Sequence, residues 1–486
     1  MNKTIRRAAV FTLLLVFALL ARATWVQAYE AKPLADNKHN RRNLMAKYAQ
    51  PLGDIIVAGS PVTGSKEAPS GDLRYQRTYK DGALYAAVTG YSSQAYGANQ
   101  LEGIYSDVLD GTDDRLKNPL GALTGEQTSP GDVLTTIDPA VQKAGYEALG
   151  DAKGAAVAMD PRSGRILGMV STPSFDPSKI AGSNDGDAWQ ALSEDEDKPL
   201  VNRAIRQPVA PGSTFKLVVA AAALEDGLYG SVDESTDSPN PYRLPGTTTD
   251  LENENASAPC EDASIRTALQ YSCNNVFGKM AVDLGQDKVK AMADRFGFDD
   301  EKQDVPVRAY ASRYPTGMDK AQTALSGIGQ FDVTATPLQI SMVSAALAND
   351  GVLASPHLVS KVVDSDGDAL ESFDDGEDGD GRRVVSAETA GQLQDAMRTV
   401  VEEGTGTNAR ISGAEVGGKT GTAQRGVDNS GTPYAWFTSY AKDKASGKQV
   451  AVAVFVEDSH AARNEVSGNG LAAPVARKMM AAALGR

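Results

Sequence analysis

The chain has 486 residues, 41% of them hydrophobic and 23% charged, enough for two or three domains with substantial cores and incompatible with wholesale disorder. Its 63 acidic residues outweigh 48 basic ones, for a formal net charge of −15. That balance argues against a nucleic-acid partner, which favours a concentrated basic surface.

In chain order, basic residues (Lys3, Arg6, Arg7) precede an apolar run from Ala8 to Ala21, a pattern that fits export with the amino end held in the cytoplasm. As a helix, residues 8–28 span about 31 Å, enough for a bilayer core. Arg22 can snorkel outward, and Trp25 and Tyr29 suit the interface, so the segment reads as an uncleaved anchor after a cytoplasmic tail of residues 1–7. Cleavage after Val26-Gln27-Ala28 is the alternative. Lys32 to Arg42 reads as polar and extended. Residues 29–115 form a mixed first region, in which Leu52 to Gly59 reads as a turn into a short strand. Asp113 to Gly131 is rich in Asp, Gly, Pro, Thr and Ser, and residues 116–131 within it read as a linker.

From residue 132 to 486 the pattern is that of one α+β domain. Val133–Ile137 reads as a strand, and Pro139 opens a helix. Gly154–Met159 and Arg165–Val170 flank the turn sequence Asp160-Pro161-Arg162-Ser163-Gly164 as an antiparallel hairpin. Residues 212–350 are mostly helical in pattern. Asp364 to Asp380, crowded with Asp, Glu and Gly, reads as a solvated loop. Ala435–Tyr440 and Gln449–Val456 are further strands, and Ala472–Leu484 is a closing helix. Strands at both ends with helices between imply a sheet completed by distant segments.

Chemistry concentrates in three motifs. Ser213-Thr214-Phe215-Lys216 reads S-x-x-K, Ser272-Cys273-Asn274 reads S-x-N, and Lys419-Thr420-Gly421-Thr422 reads K-T-G-T. Each alone is common; their order, their spacing and their flanking residues make chance agreement improbable. The three histidines, His39, His357 and His460, lie in no triad or metal-ligand context, so the chemistry falls to Ser and Lys and needs no metal or cofactor. Pro211-Gly212 before an apolar run puts Ser213 in the first turn of a buried helix, with Lys216 on the same face. Lys216 can take the serine proton only when neutral, which requires burial or a second cation; Lys419 is the candidate. Ser272 and Asn274 fall between two helical stretches, where a hydroxyl can relay a proton and an amide can hold substrate. The glycine-rich strand 417–423 offers an edge for an extended acyl substrate. There Lys419 and Thr420 would grip a carboxylate beside Gly421, and the backbone N–H groups of Ser213 and Thr422 would form an oxyanion hole. Cys260 and Cys273, exported to an oxidising compartment, read as a disulfide, with two separate buried thiols as the alternative.

These motifs, together with Leu134–Asp138, Gly154–Pro161, Pro173–Pro177, Ala268–Asn274, Ile328-Gly329-Gln330 and Thr336–Gln339, resemble the class B penicillin-binding proteins. The likeness is to the actinobacterial penicillin-binding protein A type and extends over nearly everything after the anchor. Asn40–Asn43, Glu102–Tyr105 and Leu109–Gly111 resemble that family's pedestal, also called its dimerisation domain. Leu52-Gly53 departs from the Arg-Gly of many relatives. The resemblance implies a penicillin-binding, serine β-lactamase-like transpeptidase domain, with an antiparallel sheet flanked by helices and an inserted helical subdomain. It implies a serine D,D-transpeptidase acting on peptidoglycan stem peptides ending in D-Ala-D-Ala, acylated on Ser213 by β-lactams. It also implies attachment to the cytoplasmic membrane with the catalytic domain outside, and a glycan polymerase as partner. About 100 residues between the anchor and Asp132 are too few for a glycosyltransferase domain. A D,D-carboxypeptidase or β-lactamase of the same superfamily is the second reading, but no base dedicated to activating water is evident. A β-lactam sensor or division scaffold is the third; a sensor would need more than the seven residues that precede the apolar run.

Overall fold

The computed structural model describes residues 3–30, 41–68, 71–117, 128–373, 381–426, 430–458, 461 and 463–486. Most of the segment expected to be extended (31–40), the middle of the expected linker (118–127), the end of the acidic stretch (374–380), His39 and His460 lie outside them.

Helix α1 (Lys3–Trp25) continues as a wider turn through Val26–Glu30. Over Lys3–Glu30 it is long and apolar enough to cross a membrane, and none of its apolar span is buried among the described residues. Arg41 and Arg42, expected to be extended, instead open the short helix Arg41–Lys47. Strands β1 (Ile55–Val57) and β2 (Ser60–Pro61) and helix α2 (Gly82–Thr89) build the first region. Its interior holds Arg77, which donates to Glu102 Oε1 at 2.6 Å and to the Gly53 carbonyl at 2.6 Å.

Strand β3 (Asp132–Thr135) pairs in parallel with β1. Helix α3 (Pro139–Leu149) begins at the predicted proline, its first N–H groups capped by the Asp138 carboxylate. Strands β4 (Lys153–Met159) and β5 (Ile166–Thr172) form the predicted hairpin. Helices α4 (Lys216–Glu225), α5 (Ile265–Tyr271), α6 (Asn274–Leu284), α7 (Gln286–Arg295) and α8 (Pro337–Ala348) fill the middle. Strands β6 (Val359–Val363) and β7 (Ala369–Ser372) come next. Helix α9 (Ala387–Glu403), strands β8 (Ala414–Ala423), β9 (Tyr434–Asp443) and β10 (Gln449–Asp458), and helix α10 (Ala473–Ala483) complete the chain.

Two five-stranded sheets result. One, ordered β7-β6-β3-β1-β2, draws strands from three distant stretches of chain. Two expectations change here. Strand β3 lies between β1 and β6 and does not join the β4–β5 sheet, and the acidic stretch is not all loop, because Ala369–Ser372 is an edge strand. The other sheet, β8-β9-β10-β4-β5, is antiparallel throughout.

Side chains alternate across this second sheet and sort into two cores. Ala156, Ala158, Val452 and Val454 face Val141, Leu149 and Met479 of α3 and α10. Ala155, Val157, Ala451 and Phe455 face α4 and α8. Both faces are covered, so the strand 450–456 is apolar without interruption. Helix α4 is buried on every side from Lys216 to Ala223, and that is why its lysine loses contact with water.

Candidate active site

Ser213 sits in a 3-10 turn, Gly212–Thr214, that leads into α4 rather than in the α-helical first turn itself. Gly212 has φ +53°, which interrupts regular helix, and its N–H donates to the Gly329 carbonyl at 3.0 Å. A Cβ on Gly329 would lie 2.1 Å from the Gly212 oxygen, and one on Gly212 would lie 2.8 Å from the Thr422 oxygen. Three backbones thus meet with no room for side chains: the serine turn, the 328–330 loop and β8.

Lys216 is fully buried. Its Nζ donates to the Ser272 carbonyl and to Asn274 Oδ1, each at 2.8 Å, and lies 3.3 Å from Ser272 Oγ. The second motif therefore holds the lysine amine, one helical turn from Ser213. Burial, and then the charge of Lys419, push Lys216 well below the usual lysine range, with Glu254 opposing.

Lys419, on edge strand β8, is also fully buried. It donates to Ser272 Oγ at 2.9 Å and to the Thr420 carbonyl at 2.8 Å. Burial lowers it to about 7, again against Glu254. Of the two, Lys216 carries both penalties and gives up its proton first.

Ser272 joins the two lysines because of its backbone. It terminates α5 in the left-handed region, φ +61°, unusual for a residue other than glycine and the kind of strain found at functional sites. A short segment before α5 straps this corner down. Cys260 is bridged to Cys273, with Cα atoms 5.6 Å apart. Asn253 Oδ1 accepts from the backbone N–H groups of Asn274 and Asn275, and the Glu252 carbonyl accepts from Asn274 Nδ2 at 2.9 Å. The buried Asn275 donates to the Cys260 carbonyl at 2.7 Å.

As the end strand of its sheet, β8 leaves every second backbone group of 414–423 outside the ladder. Thr420 shares a 2.8 Å hydrogen bond with Thr405 Oγ1. Gly421 packs against the serine turn, where a Cβ would lie 3.0 Å from Thr214 Cγ2. Trp436 Nε1 donates to the Ala210 carbonyl at 3.0 Å, tying that turn to β9.

Of the eight positions expected from the sequence, Lys216, Ser272, Asn274, Lys419 and Thr420 are joined by hydrogen bonds, and Gly421 and Thr422 pack against the turn that carries Ser213. Sequence reasoning did not single out Asn253, Glu254, Asn275, Thr405 or Trp436. Asn253 and Glu254 stand in an irregular acidic loop with no periodicity, and Thr405 follows α9 in a glycine-rich turn. Among the described residues, no cluster of three or more His, Cys, Asp or Glu is arranged to hold a metal ion.

Comparison with known proteins agrees with this geometry. Residues 154–481 match the penicillin binding protein transpeptidase domain, and residues 52–133 match the penicillin binding protein A dimerisation domain. A peptidoglycan D,D-transpeptidase, PbpA, of Mycolicibacterium smegmatis is 38% identical over all of this chain and 99% of its own length. PbpA of Mycobacterium tuberculosis is 36% identical over the same shares. The ceftriaxone acyl-enzyme complex of penicillin-binding protein A from M. tuberculosis superposes with a TM-score of 0.83 at 35% identity, covering 90% of this chain and 100% of that one. By site, fold and both matches, the chain belongs to the penicillin-binding transpeptidase family.

Proposed function

We propose that the protein is a peptidoglycan D,D-transpeptidase working through an acyl-enzyme on Ser213. Neutral Lys216 takes the Ser213 proton as Oγ attacks the carbonyl of the penultimate D-Ala in a stem peptide. The N–H groups of Ser213 and Thr422 hold the developing oxyanion, while Lys419 and Thr420 bind the terminal carboxylate. The peptide C–N bond then breaks. The departing D-Ala amine receives the proton from Lys216 through the Ser272 hydroxyl, and an ester remains on Ser213. An amine of a neighbouring stem attacks that ester and loses its proton back along the same path, which frees Ser213 and leaves a cross-link. β-Lactams acylate the same serine and stop there.

The observation that carries this reading is the shared contact at Ser272 Oγ, 2.9 Å from Lys419 Nζ and 3.3 Å from Lys216 Nζ. It gives one hydroxyl access to both a neutral amine and a cation, as proton relay requires. Helix α1 would fix the catalytic part on the outer side of the cytoplasmic membrane, as a single pass, beside a glycan polymerase that supplies new strands. The test is a reaction of the full chain in detergent with a stem pentapeptide and an acceptor amine. One D-alanine released per cross-link formed supports transpeptidation. D-alanine release without cross-links would make it a carboxypeptidase, and Ser213→Ala should abolish both products.

A further inference from the structure

The turn that follows α9 reads Gly404-Thr405-Gly406, and the backbone on either side of the threonine has little room to move. A Cβ on Gly404 would lie 2.6 Å from the Gln270 carbonyl oxygen, and one on Gly406 would lie 3.2 Å from Phe437 Cε2. Both glycine N–H groups donate to the Val400 carbonyl, at 3.2 and 2.9 Å. Thr405 donates its N–H to the Gln270 carbonyl at 3.1 Å, and Gln270 Nε2 donates to the Glu403 carbonyl at 3.2 Å. Gln270 lies on α5, the helix that ends at Ser272. Phe437, fully buried on β9, is the cross-strand partner of Thr420. The turn is therefore fixed between the helix that leads into the second motif and the strands that carry the third.

The side chain held in this way reaches the third motif. Thr405 Oγ1 lies 2.8 Å from Thr420 Oγ1, and among the described residues neither hydroxyl makes another hydrogen bond. Thr405 is half-buried and Thr420 is buried, so the pair is largely screened from bulk water. No hydrogen bond joins the Thr405 hydroxyl to Ser213, Lys216 or Ser272 among the described residues.

The direction of that shared bond matters. A hydroxyl has a single proton and a carboxylate can only accept. If Thr420 donates to Thr405, it has no proton left for a carboxylate. If Thr405 donates, Thr420 keeps its proton for a third group, and accepting a bond makes it a better donor.

We infer that Thr405 is a positioning residue for substrate: it donates to Thr420 and so aims the Thr420 proton at the substrate's terminal carboxylate. The inference rests on the assignment of that carboxylate to Lys419 and Thr420 made above. Thr405 acts through Thr420, on the binding of carboxylate-bearing ligands and not on the proton path through Lys216 and Ser272.

The test is stopped-flow acylation of the full chain in detergent by benzylpenicillin and by its methyl ester, which lacks the carboxylate. Thr405→Val keeps the shape of the side chain and removes its donor. It should slow acylation by the acid roughly three- to tenfold, through a weaker saturation constant, and acylation by the ester less than about twofold. Thr405→Ser should restore the acid rate, and adding Thr405→Val to Thr420→Val should cost nothing further. The ratio of acid to ester is internal to each preparation, so partial unfolding does not alter it. Equal losses with acid and ester, additive losses in the double variant, or an unchanged acid rate would each overturn the role of Thr405. Thr420→Val separates this from the reading beneath it: if that variant also loses acid and ester alike, the carboxylate assignment itself falls.

Discussion

Lys419 reaches from the edge strand to donate 2.9 Å to Ser272 Oγ, and Lys216 approaches the same oxygen from α4. Two buried amines beside one hydroxyl cannot both stay protonated without cost, and the rate of acylation must carry the imprint of both titrations. On the mechanism proposed above, acylation needs Lys216 neutral and Lys419 charged. Lowering the pH protonates Lys216 and slows the reaction; raising it through about 7 discharges Lys419 and weakens carboxylate binding. The second-order rate of penicillin acylation is therefore expected to be bell-shaped, with its alkaline limb near 7. A rate that climbs steadily to pH 9 would contradict the assignment of the two lysines.

Glu254 tests the same electrostatics from outside the motifs. Its negative charge raises both lysines, so Glu254→Gln should move both limbs of the profile toward lower pH. Glu254 is exposed, and the fold should be unaffected. An unshifted profile would show that its charge is screened out.

Gly329→Ala places a methyl group 2.1 Å from the Gly212 oxygen, at a residue with φ +70°. The serine turn must move, and a displacement of about 1 Å at a reacting atom costs on the order of 10²-fold in rate. Stopped-flow acylation should show that loss in protein that still melts cooperatively. A rate within twofold of wild type would mean that the turn is held by other contacts.

Replacing both Cys260 and Cys273 by alanine opens a short loop and should cost about 3 kcal/mol of stability, read as a lower urea midpoint. Acylation should slow as well, because the bridge helps to hold the strap carrying Asn253 against Asn274. A variant with an unchanged midpoint would count against that constraint.

Arg77→Ala should destabilise the first region by about 3–5 kcal/mol, since Glu102 would be left buried without its partner. The folded fraction should acylate normally, because neither residue approaches Ser213. Loss of acylation in proportion to activity in the folded protein, rather than to unfolding, would reveal coupling between the two regions.

The residues proposed to be catalytic were legible because acyl-transfer chemistry restricts residue type and spacing at once. S-x-x-K sets a serine about one turn ahead of a lysine, even though the serine itself lies in a 3-10 turn before the helix. The apolar runs at 154–159 and 450–456 likewise declared buried strands. What remained hidden depends on distant pairing. Nothing local in Val359–Ser372 indicates that it extends a sheet begun at Ile55, more than 300 residues earlier. The strap residues Asn253 and Glu254 were equally silent, because a capping amide in an irregular loop leaves no period to detect. The 3-10 geometry at Ser213 follows from Gly212 meeting Gly329, a contact that the sequence of the turn alone does not contain.

The most direct test of the central claim is intact-protein mass spectrometry after exposure to benzylpenicillin, followed over hours and mapped by peptide digestion. One penicilloyl group on the peptide containing Ser213, persisting through the experiment and absent in Ser213→Ala, is the predicted result. With Lys216→Ala the adduct should form about 10²–10⁴ times more slowly. An adduct on another residue, one lost within seconds, or none at all would contradict the account.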